Sequence, residues 1–481
     1  MLGATFYETC TYGKVNVNTD KVVQTYKPTH FIQQATLEYL GADNWSEGDA
    51  AYIFTTSKAR EDNWRKDITE RSHWVKGASK TDPYVGLEKL LEEMKLPFRI
   101  EAVDIPNGNG EFEMWKIFNA IFSKIKEGDE LYFDLTHSFR YIPMLVLVLG
   151  NYSKFLKNVK ISSITYGNFE AARGREDGVA PIVDLMPLTV LQDWTFAAAD
   201  LIRNGNSDRL RELSNSSYLT QMLRLKEPGK KLNMNERAAE ETIQNYIKAL
   251  HEMLLNLRLC RLPQILSGET IKEVEYHLKA AQNQLKTDNE SEDQKNVISI
   301  IPPILEKIRG TFEGFSTGED IHKGYLAAQW CCEHQLYQQA ITILHENITT
   351  AMCRQLKIKD RIYANRHLAA YYLREEKMMD DDLKKIEKAD ADNIRKNRNA
   401  ARHFITHFKD VAKWMHSKRN TYDHAAMSLA EEKTKTGLSY VEKKLTSQDI
   451  VILRDLIIPY VLNPTDEEKR NEICKLVQSS L

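Results

Sequence analysis

The order of apolar and polar positions divides the chain in two. Up to about residue 187, short runs rich in β-branched and aromatic residues alternate with stretches of helical period. The strand-like runs are Ala4–Tyr7, Ala50–Thr56, Phe98–Ile105, Glu130–Thr136, Val159–Tyr166 and Ile182–Leu185. Helical patterns cover Phe31–Leu40, Val85–Lys95, Phe112–Lys126 and Tyr141–Leu156, with Phe112, Ile117, Ile121 and Ile125 close to one stripe. Alternating β and α predicts a Rossmann-like α/β domain over 1–189, a parallel sheet with helices on both faces. Such sheets take ligands at the carboxyl ends of their strands.

From Pro187 on, strand signals nearly vanish. Ala238–Leu257 and Ile271–Leu285 read as amphipathic helices, separated from the rest by the polar stretch Lys286–Asn296. Gly310, Gly314 and Gly318 mark a second break. Beyond it, Tyr325–Leu356, Arg361–Lys377, Ala389–His416 and Leu438–Leu445 read as helices. The expectation is an all-α connector over 190–318 and an all-α domain over 319–481.

Composition narrows the class. The 481 residues carry 66 Lys and Arg against 68 Asp and Glu, so no global charge marks a nucleic-acid binder and any such site must be local. With 42% hydrophobic residues the chain is no disordered polymer. No apolar stretch approaches the roughly 18–20 residues that cross a bilayer, and MLGATFYETC has no basic region followed by an apolar one, so neither membrane contact nor a secretory signal is expected. Cys10, Cys260, Cys331, Cys332, Cys353 and Cys474 form no disulfide framework, which suits a reducing cytoplasm.

Candidate chemistry sits first at Asp134-Leu135-Thr136-His137-Ser138-Phe139-Arg140, where a strand runs into a helix. Backbone N–H groups at such a junction attract anions. Thr136 and Ser138 add hydroxyls, and Arg140 adds a planar cation suited to phosphate. A plainer role is open: Ser138 as a helix cap and Asp134 as a satisfied strand-end carboxylate. Thr55, Thr56 and Ser57 end another strand, followed by Lys58, Arg60 and Trp64, and Thr9, Thr11 and Tyr12 follow the first. Three hydroxyl-rich loops at one sheet edge would cradle phosphate and ribose. Neither a Gly-x-Gly-x-x-Gly after the first strand nor a Gly-Lys-Ser/Thr loop occurs, so ordinary dinucleotide and triphosphate motifs are not supported.

The second candidate is Arg419-Asn420-Thr421-Tyr422-Asp423-His424. On a helix, Asn420 and His424 share a face, and Arg419 can reach back to it. A fixed cation, an amide and an imidazole can cleave RNA without metal: the substrate's 2′-hydroxyl attacks the adjacent phosphate, histidine moves a proton, and arginine stabilises the phosphate's charge. Arg398–His403 and Arg402–His407 have the same spacing. Arg419–His424 is preferred because the rivals read as interior to a continuous helix. His403 with His407, and Cys331, Cys332 with His334, lack the further ligands a zinc site needs.

Together these segments resemble the CARF–HEPN ribonucleases of type III CRISPR systems. Asp134–Arg140 is similar to that family's Asp-hydrophobic-Thr-His-Gly-hydrophobic-Arg loop, with Ser138 where glycine is common. Phe54-Thr55-Thr56-Ser57, Ala59 and Asn63-Trp64 match the family style, and Arg419-Asn420 with His424 resembles its Arg-x4–6-His motif. The resemblance implies a CARF domain binding a cyclic oligoadenylate, habitually cyclic tetra-adenylate, through Thr9, Thr11, Thr55, Thr56, Ser57, Asp134, Thr136, His137, Ser138, Phe139 and Arg140. It implies a homodimer whose paired Arg419, Asn420 and His424 cut single-stranded RNA once the ligand binds, with no cofactor or metal. A non-catalytic nucleotide sensor whose helices bind a partner is the alternative.

Overall fold

A computed structural model describes residues 1–16, 20–65, 84–137, 141–215, 234–287, 301–316, 318–375, 384–423, 429–434, 437–442 and 446–479. These fall into two compact units, one up to Asp193 and the other from Trp194 on.

The first unit is a mixed α/β fold. In chain order its strands and longer helices are β1 (Thr11–Val15), β2 (Val22–Thr25), α1 (Ile32–Tyr39), β3 (Ala50–Thr55), α2 (Leu87–Glu93), β4 (Arg99–Asp104), α3 (Glu111–Phe122), β5 (Glu130–Asp134), α4 (Ile142–Lys157), β6 (Lys160–Gly167) and β7 (Val179–Asp184). One sheet runs β2-β1-β7-β6-β5, and β3 pairs with β4. The β3–β4, β5–β6 and β1–β7 pairs are parallel, but β1–β2 and β6–β7 are antiparallel.

That antiparallel turn of β7 has a geometric consequence. Gly167, at the end of β6, pairs with Ile182, and Thr11, at the start of β1, pairs with Val179. The beginning of β1 therefore lies at the same sheet edge as the carboxyl ends of β5 and β6. The expected strand Ala4–Tyr7 does not form. Instead Leu2 makes an isolated parallel bridge to Thr55, and the carbonyls of Gly3 and Thr5 accept hydrogen bonds from Asn63 Nδ2 at 2.7 and 2.8 Å. A side-chain amide replaces the ladder partner that those carbonyls lack.

Helix α4 starts with Pro143 in its first turn, where no intrahelical N–H is needed. It ends at Asn158, whose φ of 48° is left-handed. Ile142, Leu145, Val146 and Leu149 form its buried face. Gly150 lets the helix lie close to the sheet, since a Cβ there would stand 2.6 Å from Ile161 Cδ1.

The second unit is largely helical. The boundary helix α5 (Met186–Asn204) is followed by α6 (Asp208–Asn215), α7 (Met234–Arg258), α8 (Leu262–Ser267), α9 (Glu269–Thr287) and α10 (Ile301–Gly310). Then come α11 (Asp320–Glu333), α12 (Tyr337–Leu356), α13 (Tyr363–Leu373), α14 (Lys388–Asn397) and α15 (Arg402–Asp423), and a final helical group from Ser447 to Ser479.

Three sequence expectations fail here. The helix expected over Tyr325–Leu356 is two helices, α11 and α12, parted at 334–336, where Gln335 takes a left-handed φ of 61°. The continuous helix over 389–416 is broken at 398–401, where Asn397 Nδ2 donates to the Asn393 carbonyl at 2.8 Å and to the Leu356 carbonyl at 3.4 Å. An asparagine side chain bonded to backbone in this way competes with helix propagation. Of the helix expected over Leu438–Leu445, residues 443–445 lie outside the described residues and 438–442 form a strand: β8 (Leu429–Thr434) pairs antiparallel with β9 (Gly437–Glu442). Tyr440 and the β-branched Val441 side by side, with Leu438 before them, suit a strand. Among the described residues, no helix is long and apolar enough to cross a membrane, and all six cysteines are free thiols.

Leu149 is fully buried on α4. Leu149→Ala is expected to destabilise the first unit by about 2–5 kcal/mol, read as a lower urea midpoint in the transition that reports on that unit.

Candidate functional site

At the carboxyl ends of β3, β4 and β5 lies a cavity of about 200 Å³. Its walls include Leu2, Gly3 and Ala4, Phe54, Thr56 and Lys58 after β3, Ile105 and Asn107 after β4, and His137 after β5. Thr56 caps the short turn that follows β3, accepting from Ala59 N at 3.2 Å. Ser57 is exposed at the start of that turn. Thr55 is fully buried.

The Asp134–His137 turn is tightly ordered. Asp134 Oδ1 accepts from Thr136 N at 3.1 Å and from Thr136 Oγ1 at 2.6 Å. Thr136 Oγ1 in turn accepts from Gly167 N at 2.8 Å. Two of the expected ligand residues thus hold the ends of β5 and β6 together. The Tyr7 ring lies against the His137 imidazole, centroids 4.0 Å apart. Burial holds His137 down to about 4, against the pull of the Asp134 carboxylate. At neutral pH it is an uncharged imidazole, and its buried Nε2 has no hydrogen-bond partner.

Ser138, Phe139 and Arg140 lie outside the described residues. Thr9 and Thr11 stand at the start of β1 and do not line the cavity. Thr9 Oγ1 is 3.3 Å from His30 Nε2, and His30 Nδ1 is 2.8 Å from the Tyr7 carbonyl. Trp64 is buried, and Asn63 both clamps the 3–5 segment and accepts from Tyr84 OH at 2.8 Å. Asn107 and Tyr7 went unrecognised in the sequence because neither belongs to a strand-end hydroxyl cluster.

In the second unit, Arg419 lies near the end of α15. Its Nη1 is 2.6 Å from Glu346 Oε1 and 3.1 Å from His345 Nδ1, both on α12. Glu346 Oε2 is 2.5 Å from Arg366 Nη2, on α13. Arg366 is further fixed by Thr350 Oγ1 at 2.9 Å and by the Asp360 carbonyl at 2.8 Å. Burial works to raise the pKa of Glu346, but hydrogen bonding from His345 and the charges of Arg366 and Arg419 bring it down to about 2. One carboxylate faces two guanidiniums.

His424 lies outside the described residues, as does the side chain of Asn420. Of the rivals, Arg398–His403 spans the break between α14 and α15, so the continuous helix that counted against it is absent. Arg402 and His407 share α15, where the His403 and His407 rings are 4.4 Å apart. Cys331 and Cys332 are buried, and His334 stacks on Trp330 at 4.0 Å. His345, Glu346 and Arg366 were missed in the sequence. The available signal was Glu346 among Ile341, Ile343, Leu344 and Ile348, where a carboxylate drawn into an apolar setting needs a partner.

Two outcomes follow from these electrostatics. The folded pKa of His137 lies below its ordinary value of about 6.5, so its contribution to stability is complete above that value. It is lost as pH falls from about 6.5 to about 4, by at most ~3 kcal/mol. His137→Asn should flatten stability across that window, and the His137 imidazole proton resonances, assigned by their absence in that variant, should titrate near 4. Glu346→Gln leaves Arg366 and Arg419 without their shared carboxylate and should cost about 2–4 kcal/mol in thermal or denaturant unfolding.

No protein-family model matches the chain. Over 218 residues it is 29% identical to the CRISPR-associated protein MJ1674 of Methanocaldococcus jannaschii. That similarity covers 40% of this chain and 32% of the archaeal protein, so the chain matches about a third of its relative's length.

Proposed function

We propose that this chain is a CRISPR-associated endoribonuclease of the CARF–HEPN kind, switched on by a cyclic oligoadenylate. The likeness to a CRISPR-associated protein supports the setting. The observation that carries the reading is the Arg419 guanidinium, held by Glu346 beside the His345 imidazole and followed in sequence by Asn420 and His424. The cavity at the ends of β3, β4 and β5, with Thr56, Lys58, Asn107 and His137 in its wall, suits a ligand bearing phosphates, hydroxyls and bases.

In this reading a homodimer brings two copies of Arg419 and His424 to one site. The 2′-oxygen of single-stranded RNA attacks the neighbouring phosphorus as one histidine removes its proton. The 5′-oxygen leaves with a proton from the other, giving a 2′,3′-cyclic phosphate and a 5′-hydroxyl. Arg419 stabilises the charge on the phosphate as the bond breaks. Activation requires that the cyclic ligand bind the active arrangement more tightly than the resting one. The chemistry needs no metal.

A second reading, a nucleotide sensor without catalysis, is favoured by the ion pair that already occupies Arg419. One assay separates the two. A fluorescent single-stranded RNA should be cut when cyclic tetra-adenylate is added, with cyclic tri- and hexa-adenylate as comparisons. Arg419→Ala and His424→Ala should each reduce cleavage by about 100-fold or more, and EDTA should leave the wild type unchanged. Absence of cleavage with every ring supports the sensor. Loss of activity in Arg398→Ala or His403→Ala alone moves the site to that segment.

A further inference from the structure

Helix α13 has an unusual outer face. Asn365, Leu368, Ala369 and Leu373 are buried. The opposite side of a surface helix is normally charged. Here positions four apart carry Tyr363, His367 and Tyr371. Tyr363 is 81% exposed. Tyr363 and His367 are stacked with centroids 6.0 Å apart, and His367 meets Tyr371 edge-on at 4.7 Å.

The surrounding charge is positive. Residues 357–375 hold five lysines and arginines against two carboxylates, in a chain whose net charge is −2. Lys359 is paired with Glu387 and Arg366 with Glu346; Arg361 is exposed ahead of the aromatic row, and Arg374, after it, is buried. The Arg374 guanidinium lies over Tyr371, 5.5 Å from the ring centroid. Arg374 also lines a narrow crevice between α13 and α15, together with His345, Ala370, Leu373, Ala412 and Met415. The row thus begins at exposed Tyr363, and Arg374, which lies over its last ring, shares that crevice with the histidine that touches Arg419.

We propose that Tyr363, His367 and Tyr371 form a stacking track for the bases of single-stranded RNA, leading it toward Arg419. The inference rests on the ribonuclease reading and adds where the substrate is held. Rings four residues apart stand about 6 Å apart along a helix, so each can meet a different base. Stacking on aromatic faces tolerates any sequence, and the exposed Arg361 beside the row can meet the backbone. The track therefore favours single strands over duplexes, whose bases are already stacked.

The test uses the full chain and a fluorescein-labelled single-stranded RNA carrying 2′-O-methyl on every ribose, which 2′-hydroxyl attack cannot cut. Anisotropy should show binding that weakens about tenfold for each of Tyr363→Ala and Tyr371→Ala, while Tyr363→Phe and Tyr371→Phe bind as the wild type does. If an alanine variant loses its thermal transition, leucine at the same position keeps apolar bulk without a π-face and must weaken binding equally. Alanine variants that bind like the wild type overturn the track and leave the ribonuclease reading intact. Ring-dependent binding by a chain that never cuts unblocked RNA supports the track and sinks the ribonuclease. A wild type that fails to bind the blocked RNA overturns the track. So does a pair of alanine variants that turn a sedimenting dimer into monomer with RNA binding unchanged, because the row is then a contact between copies.

Discussion

One carboxylate shared by two guanidiniums sets the geometry around Arg419. Glu346 lies in the middle of α12 and reaches Arg366 on α13 and Arg419 on α15. A half-buried carboxylate left alone would be driven toward its neutral form, and either arginine left alone would be a poorly solvated cation. The three helices are therefore tied by a charge that none can release without cost. The same arrangement holds Arg419 against the His345 ring.

In the first unit the corresponding constraint is the pairing of backbone carbonyls outside any strand. Segment 2–7 joins the sheet by one bridge, and Asn63 supplies the donors that a neighbouring strand would otherwise provide. With that clamp in place, Leu2, Gly3 and Ala4 become a wall of the cavity rather than a sheet interior. Across from them, Thr136 joins the ends of β5 and β6, and His137 is held neutral by burial. Hydroxyls that read as ligand groups in the sequence are divided between structural duty, as in Thr136, and the cavity wall, as in Thr56.

The elements with strong periodicity were legible. The alternation of β3, β4, β5 and β6 with α2, α3 and α4 follows the hydrophobic pattern closely, because each strand and helix must bury a face of fixed period. Reading failed where local preference was weak. Residues 4–7 look like a strand but lack a complete ladder partner. The 389–416 run looks like one helix but carries Asn397, whose side chain takes backbone carbonyls. The strand β9 was hidden inside an otherwise helical region, and its identity depends on its pairing with β8.

By itself, the order of residues determined an α/β unit followed by a helical one, the strand-end loop at Asp134–His137 and the presence of Arg419 near a helix end. Those are consequences of period and of short-range chemistry, which neighbouring residues decide. Only the tertiary structure decided that Arg419 meets His345 across 74 positions of chain, that Asn107 and Tyr7 join the first-unit site, and that β7 runs against β6. Such meetings depend on which buried faces and buried charges find each other when the helices and strands pack, and no stretch of sequence carries that information locally.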